Sequence, residues 1–217
     1  MPIKALVIDL DGTLYEGSEL AEISKANMKR VHTYLKRRGI LGSVPKTLLW
    51  RLDRRMKEGK ISGSVIYLSR RYHIDEKKFS DYVNNIHPRS FRIRNDKKLI
   101  SSLSYLSKSY EICVFTNAPS IWVRRALKVI GLNGLVKWKN VVHQESLNDH
   151  MKPDPEAYNI MLHRLRLNKD EVIFMDDLED NVAAARKMGI KSFHVLNKRG
   201  SRRTIYLILD KIKSNAY

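Results

Sequence analysis

A chain of 217 residues has room for one large domain, or one domain with a modest insertion. Its 43% hydrophobic and 29% charged content is ordinary for a globular protein, and no stretch approaches the ~18 consecutive apolar residues of a membrane span. Lysine and arginine number 41 against 23 aspartate and glutamate, a net charge of +18 that would draw polyanions or phosphorylated metabolites. The basic residues are scattered, with short clusters at 36–38, 51–60 and 198–203, and aromatic residues do not interleave with them as a single-strand platform requires. A solvated basic surface is therefore preferred over a nucleic-acid partner. The single Cys113 excludes an intramolecular disulfide and sits in the apolar run 112–115, where a small core residue is expected. The first apolar run is too short for a secretory signal, so the expected compartment is the cytoplasm.

The apolar run 3–8 reads as a buried strand that delivers Asp9 and Asp11 to its C-terminal end. On a continuing strand, residues two apart share a face, so both carboxylates are expected in one site, with Gly12 turning the backbone after them. For about eighty residues the pattern is then helical. Leu20, Ile23, Met28, Val31 and Leu35 make one helix stopped by Gly39, and Leu48, Leu49, Leu52 and Met56 make a second ending at Gly59. A third spans about 64–72. Asp75 caps a fourth, with Phe79, Tyr82, Val83 and Ile86 on its buried face and His87-Pro88 closing it. Trp50 and Tyr67 are expected in the core of this all-helical insertion.

Beyond Asn95 helix and strand alternate, the signature of a parallel sheet covered on both faces. Asp96 starts a helix through Leu99, Leu103 and Leu106, and a strand follows at 110–116. A helix over 120–130 stops at Gly131, and a short strand lies near 140–143. Asp154-Pro155 begins another helix, with the acid as cap and proline in the first turn. Residues 172–175 form a strand ending in Asp176-Asp177, 179–188 a helix closed by Gly189, and 191–196 the last strand. Ile205, Leu207, Ile208 and Ile212 dock a final helix. The fold class is α/β, a Rossmannoid doubly wound parallel sheet with an inserted all-helical cap. Residues 1–15 and 93–217 make the core, and 16–92 the cap.

Four polar features fall just beyond strands or at a helix start: Asp9/Asp11, Thr116-Asn117, Lys152 before Pro153, and Asp176/Asp177. Parallel strands place their C-terminal ends along one edge, so the four can converge on one pocket. Such a pocket suits phosphoryl transfer. Carboxylates there make an oxygen site of the kind Mg²⁺ accepts; one carboxylate can attack as a nucleophile, and a second can move protons. A lysine and a threonine hydroxyl offset charge on the phosphoryl oxygens.

The ordered set Asp9-Leu-Asp11-Gly-Thr, Thr116-Asn117, Lys152-Pro153 and Asp176-Asp177 followed by Asn181 resembles the haloacid dehalogenase-like (HAD) hydrolase superfamily over essentially the whole chain. The resemblance implies Asp9 as nucleophile and Mg²⁺ ligand, and Asp11 as general acid/base with its backbone carbonyl on the metal. It assigns Thr116, Asn117 and Lys152 to phosphate binding, Asp177 to the metal with Asp176 its neighbour, and Asn181 to a place where many members carry a further acid. Asp11 disfavours a dehalogenase, whose halide needs no proton, so a Mg²⁺-dependent phosphatase of a small phosphorylated metabolite is expected. The cap is expected to choose the substrate. Asp-Leu-Asp-x-Thr-Leu-Tyr15, with the Phe-Thr-Asn-Ala and Phe-Met-Asp-Asp segments, is similar to the pyrimidine 5′-nucleotidase branch and implies a nucleoside monophosphate. The alternative is a nucleic-acid-binding protein or polynucleotide-end phosphatase. The histidines lack paired metal spacing, which disfavours zinc, while His143 and His150 precede Lys152 in the chain.

Overall fold

The computed structural model describes residues 2–15, 19–57, 61–196 and 201–215. It divides into two compact units, one made of Met1–Ser18 with Ile93–Tyr217, the other of Glu19–Arg92. The expected start of the insertion at residue 16, the helix stop at Gly59 and the basic residues Lys198 and Arg199 lie outside the described residues.

The smaller unit is helical: α1 (Leu20–Arg37), α2 (Lys46–Lys57), α3 (Ile61–Arg71) and α4 (Glu76–Val83). Met28, Val31 and Leu35 of α1 recur at helical spacing and meet Leu52, Val65, Leu68, Phe79 and Val83 in one apolar core. Asp75 accepts from the Lys78 backbone N–H at 2.8 Å, which offsets an otherwise unpaired donor at the start of α4. Two expectations fail here. Helix α4 ends at Val83, because the Asn84 side chain turns back onto the Ser80 carbonyl at 2.9 Å, and Ile86 lies beyond it, half-buried. Trp50 and Tyr67 are 63% and 44% exposed, so they are not core residues. Leu48, Leu49 and Leu52 already supply the inward stripe of α2, which leaves Trp50 on the opposite side.

The larger unit is built on five parallel strands: β1 (Ala5–Ile8), β2 (Glu111–Phe115), β3 (Val141–Val142), β4 (Val172–Asp176) and β5 (Lys191–His194). Their order is β3-β2-β1-β4-β5. Between them run α5 (Lys97–Leu106), α6 (Ser120–Ile130), α7 (Pro155–Leu165) and α8 (Glu179–Lys187), and α9 (Ser201–Lys213) follows β5. The chain steps outward from β1 to β2 and β3, then returns past β1 to β4 and β5. Right-handed crossovers in opposite directions put α5 and α6 on one face and α7 and α8 on the other. On the latter face Val7, Phe115 and Phe174 pack with Tyr158 and Met161 of α7 and Ala185 of α8. Central strands buried on both faces explain why β1 and β4 read as continuous apolar runs. Cys113 belongs to this core, and burial pushes its thiol up to about 12.

Asp96 caps α5, and Gly131 ends α6 with φ +81°, where an added Cβ would come within 2.8 Å of the Ile100 side chain. Helix α9 packs on α5. Its docking stripe is Ile205, Ile208, Leu209 and Ile212, whereas Leu207 is 56% exposed, since it lies off that 3–4 residue spacing. No described helix is long and apolar enough to cross a membrane.

Candidate active site

β1 and β4 are hydrogen-bonded neighbours whose onward connections leave in opposite directions, the arrangement that opens a crevice at the C-terminal strand ends. The ladder continues one step past β1, where the Asp9 N–H donates to the Met175 carbonyl at 2.8 Å. Asp9 is thereby set beside Asp176, the last residue of β4, and Asp177. All three are buried, and each offers a carboxylate oxygen within 4.8 Å of the others. Like charges this close repel strongly away from water. Burial drives the Asp9 carboxyl well above the usual carboxylate range, with Asp176, Asp177 and Asp11 adding to the rise and Lys152 opposing it.

Lys152 is the positive counterpart. Its ammonium, with a side chain 1% exposed, donates to Asp9 Oδ1 at 2.7 Å, Asp176 Oδ2 at 2.6 Å and the Phe115 carbonyl at 2.8 Å. Three acceptors match its three donors. Burial alone would lower its pKa, but Asp176 and Asp9 hold it above the usual lysine value, so the side chain stays charged. Asn117 places it: the Asn117 amide donates to the Lys152 carbonyl at 3.0 Å and accepts from the Lys152 N–H at 2.9 Å. That amide therefore ties together two segments 35 residues apart in sequence.

Asp176 is fully buried and takes two more donors. The Leu178 N–H reaches Oδ1 at 2.9 Å, and the Asn181 amide lies 3.0 Å from both oxygens. Asn181 thus orients an acid of the cluster, while its own carbonyl accepts from the Tyr158 hydroxyl at 2.7 Å. His194 lies 3.0 Å from the Asp177 carbonyl through Nε2 and 2.7 Å from Glu179 through Nδ1.

Asp11 stands apart from the three clustered carboxylates. Strand periodicity stops at Ile8, and residues 11–15 form a turn in which the Leu14 N–H returns to the Leu10 carbonyl at 3.0 Å. Gly12 has φ +89°, a conformation glycine adopts without strain. The expectation of a shared strand face therefore gives way to a turn that aims the Asp11 side chain elsewhere. Its Oδ1 accepts from the Trp122 indole N–H at 2.8 Å and from the Tyr15 hydroxyl, and its Oδ2 lies 3.4 Å from the Thr116 hydroxyl. Burial raises the Asp11 pKa, opposed by the Tyr15, Trp122, Lys152 and Thr116 contacts.

Sequence reasoning missed Trp122 and the pairing of Tyr15. The available signal was an indole in the first turn of α6, just beyond Thr116-Asn117; a buried indole N–H needs an acceptor. The start of α6 is itself held from outside, because the Ser120 N–H and hydroxyl both donate to the Glu145 carboxylate, the closest contacts being 2.9 Å. Burial works to raise Glu145, but hydrogen bonds from His143 and the backbone, including Ser120, bring it down to about 2. His143 pairs with Glu145 and His150 with Asp154, neither of them an acid of the cluster.

A parallel sheet in this order thus carries buried acids and a buried lysine at its C-terminal edge. The chain belongs to the haloacid dehalogenase-like hydrolase family, whose model matches residues 3–189. It is 25% identical over 199 residues to the phosphorylated carbohydrates phosphatase of Thermotoga maritima, covering 88% of this chain and 84% of that one. Two mouse proteins, bifunctional epoxide hydrolase 2 and acyl-CoA dehydrogenase family member 10, match about 55 residues at 36% and 39% identity; the chain spans 10% and 5% of their lengths. Among solved structures, a haloacid dehalogenase-like hydrolase from Streptococcus pneumoniae superposes with a TM-score of 0.59 at 15% identity, covering 99% of both chains. A HAD enzyme from Bacteroides thetaiotaomicron, crystallised with magnesium and inorganic phosphate, gives 0.51 at 20% identity over 88% of this chain and 93% of that one. Dehalogenases are also among the structural neighbours.

Proposed function

We propose that this hydrolase is a phosphomonoesterase in which Asp9 attacks phosphorus and Asp11 moves the protons. The observation that carries the reading is the convergence of Asp9, Asp176 and Asp177 around Lys152, with Asp11 and Thr116 in contact beside them. Three buried carboxylates form a hard oxygen donor set that suits Mg²⁺, and Asp9, Asp176 and Asp177 would hold it. Bound there, the ion would offset charge on the phosphoryl oxygens. Lys152 supports the same end with a charge that burial does not remove, and Asp9 is kept beside that cation as the group that forms the aspartyl phosphate, an acyl phosphate. Asp11 gives a proton to the departing alkoxide, then takes one from the water that hydrolyses the aspartyl phosphate. A halide would need no such donor, so the Asp11 side chain favours phosphate esters over the dehalogenase chemistry of some structural neighbours.

The substrate we assign is a small phosphorylated metabolite. The Thermotoga relative's name points to sugar phosphates, whereas the motif wording around Tyr15 points to nucleoside monophosphates. Phosphate release over a panel of both classes decides between them. Asp9→Asn is expected to abolish turnover of p-nitrophenyl phosphate; full activity in that variant would refute the mechanism.

A second reading, binding of nucleic acid, is favoured by one observation. Residues 19–92 carry 18 basic and 7 acidic residues, a net +11 of the total +18 on about a third of the chain. Trp50 and Tyr67 are exposed on this unit, as are Lys46, Arg51, Arg54, Arg70 and Arg71, and cations and ring faces are the groups that bind single strands. Titration of single-stranded RNA at rising salt tests it. Binding with a steep salt slope supports this reading, and no binding at low salt removes it.

A further inference from the structure

Asp11 is held more firmly on one oxygen than on the other. Two buried donors, the indole N–H of Trp122 at 2.8 Å and the hydroxyl of Tyr15, converge on Oδ1. Oδ2 has the Thr116 hydroxyl at 3.4 Å, and that hydroxyl oxygen accepts in turn from the Ala118 N–H at 3.1 Å. An indole nitrogen can donate but never accept. With Trp122 and Tyr15 together taking both lone pairs of Oδ1, a proton there would have to displace one donor, while a proton on Oδ2 meets a hydroxyl able to accept it.

We propose that Trp122 and Tyr15 are positioning residues which pin Oδ1 of Asp11 as an acceptor, so that Oδ2, on the Thr116 side, carries the transferred proton. The inference rests on the phosphomonoesterase reading above and adds which oxygen acts and what holds it. In the first half-reaction the Oδ2–H proton passes to the leaving oxygen as its bond to phosphorus breaks and the Asp9–phosphorus bond forms. In the second, ionised Oδ2 takes a proton from water as the water oxygen bonds to phosphorus and the Asp9–phosphorus bond breaks. The carboxyl ends as it began. Trp122 is suited to the task because it rides on the first turn of α6, whose N-terminus the Glu145 carboxylate anchors through Ser120. It reaches Asp11 across 111 residues of sequence.

The test is Trp122→Phe, which keeps the ring and removes the N–H, with Tyr15→Phe as a second variant should the first fold poorly. Rapid-mixing kinetics compare p-nitrophenyl phosphate, whose leaving group departs without a proton, with phenyl phosphate, whose leaving group needs one. The phosphoryl-transfer phase for p-nitrophenyl phosphate is expected to stay within about 3-fold of wild type while that for phenyl phosphate slows about 10- to 100-fold, a part of what general acid catalysis supplies. A burst of nitrophenol should then appear in the variant, because hydrolysis of the intermediate also slows. Equal slowing of both substrates, or no slowing of either, overturns the inference and leaves the phosphatase reading intact. A wild-type enzyme that turns over neither ester, in the presence of Mg²⁺, overturns both.

Discussion

Replacing Lys152 with methionine removes the ammonium that bridges Asp9 and Asp176 while keeping the length of the side chain. In the folded protein the ammonium is 1% exposed and holds Asp9 at 2.7 Å, Asp176 at 2.6 Å and the Phe115 carbonyl at 2.8 Å. Removing one partner of a buried ion pair costs about 3 to 5 kcal/mol, because the remaining charge is left without compensation. At about 2 to 4 °C per kcal/mol for a chain of this size, the melting temperature in EDTA should fall by about 6 to 20 °C. The loss should depend on pH with a definite sign. Acids whose folded pKa lies above the unfolded value bind more protons when folded, so they cost stability as pH rises above the unfolded value. Asp9 is already raised with Lys152 present, and without it the rise is larger. The deficit of Lys152→Met is therefore expected to be largest at neutral and higher pH and to shrink on acidification. Added Mg²⁺ should restore stability to the variant, by about 2.7 kcal/mol at a hundredfold excess over its Kd. Differential scanning calorimetry with and without Mg²⁺, at several pH values, measures all of this. A shift below about 2 °C in EDTA at pH 7 would refute the idea that Lys152 compensates the acids, since even the low end of the mechanism predicts about 6 °C.

Asn181→Leu should leave the fold in place but loosen Asp176, because both of its oxygens lose the amide donor at 3.0 Å while the Leu178 N–H and Lys152 still hold it. The Mg²⁺ concentration needed for half-maximal activity is expected to rise about 10-fold or more, and an unchanged Mg²⁺ dependence would show that the amide does not serve the metal. Glu145→Gln weakens the cap on α6 and should cost about 1 kcal/mol at pH 7, a figure kept low because the Glu145 side chain is 43% exposed. Its folded pKa is depressed from 4.5 to about 2. The contribution is therefore present above the unfolded value and lost as pH falls from 4.5 towards 2, so the wild-type and variant melting temperatures should converge over that range. A constant difference across it would remove the carboxylate from the account.

The alternating pattern beyond Asn95, the caps at Asp75, Asp96 and Asp154, and the stop at Gly131 were legible because each rests on chemistry within a few residues of itself. Spacing errors arose where several apolar residues competed for one stripe, as with Ile86, Leu207 and Trp50. Local sequence does not say which competitor a distant partner will cover.

The same division runs through the candidate site. Sequence by itself determined which residues arrive at the sheet edge, since strand ends, acids, lysine and threonine follow one another in an order that a parallel sheet must gather. Tertiary structure decided what each one does there. The β1–β4 pairing set Asp9 against Asp176, and the loop tied by Asn117 brought Lys152 between them. The turn at Gly12 took Asp11 off the strand face and handed it to Trp122, a residue 111 positions away. Hydrogen bonds and ion pairs act over about 3 Å in space, and no local pattern records which side chains from remote segments will share that distance.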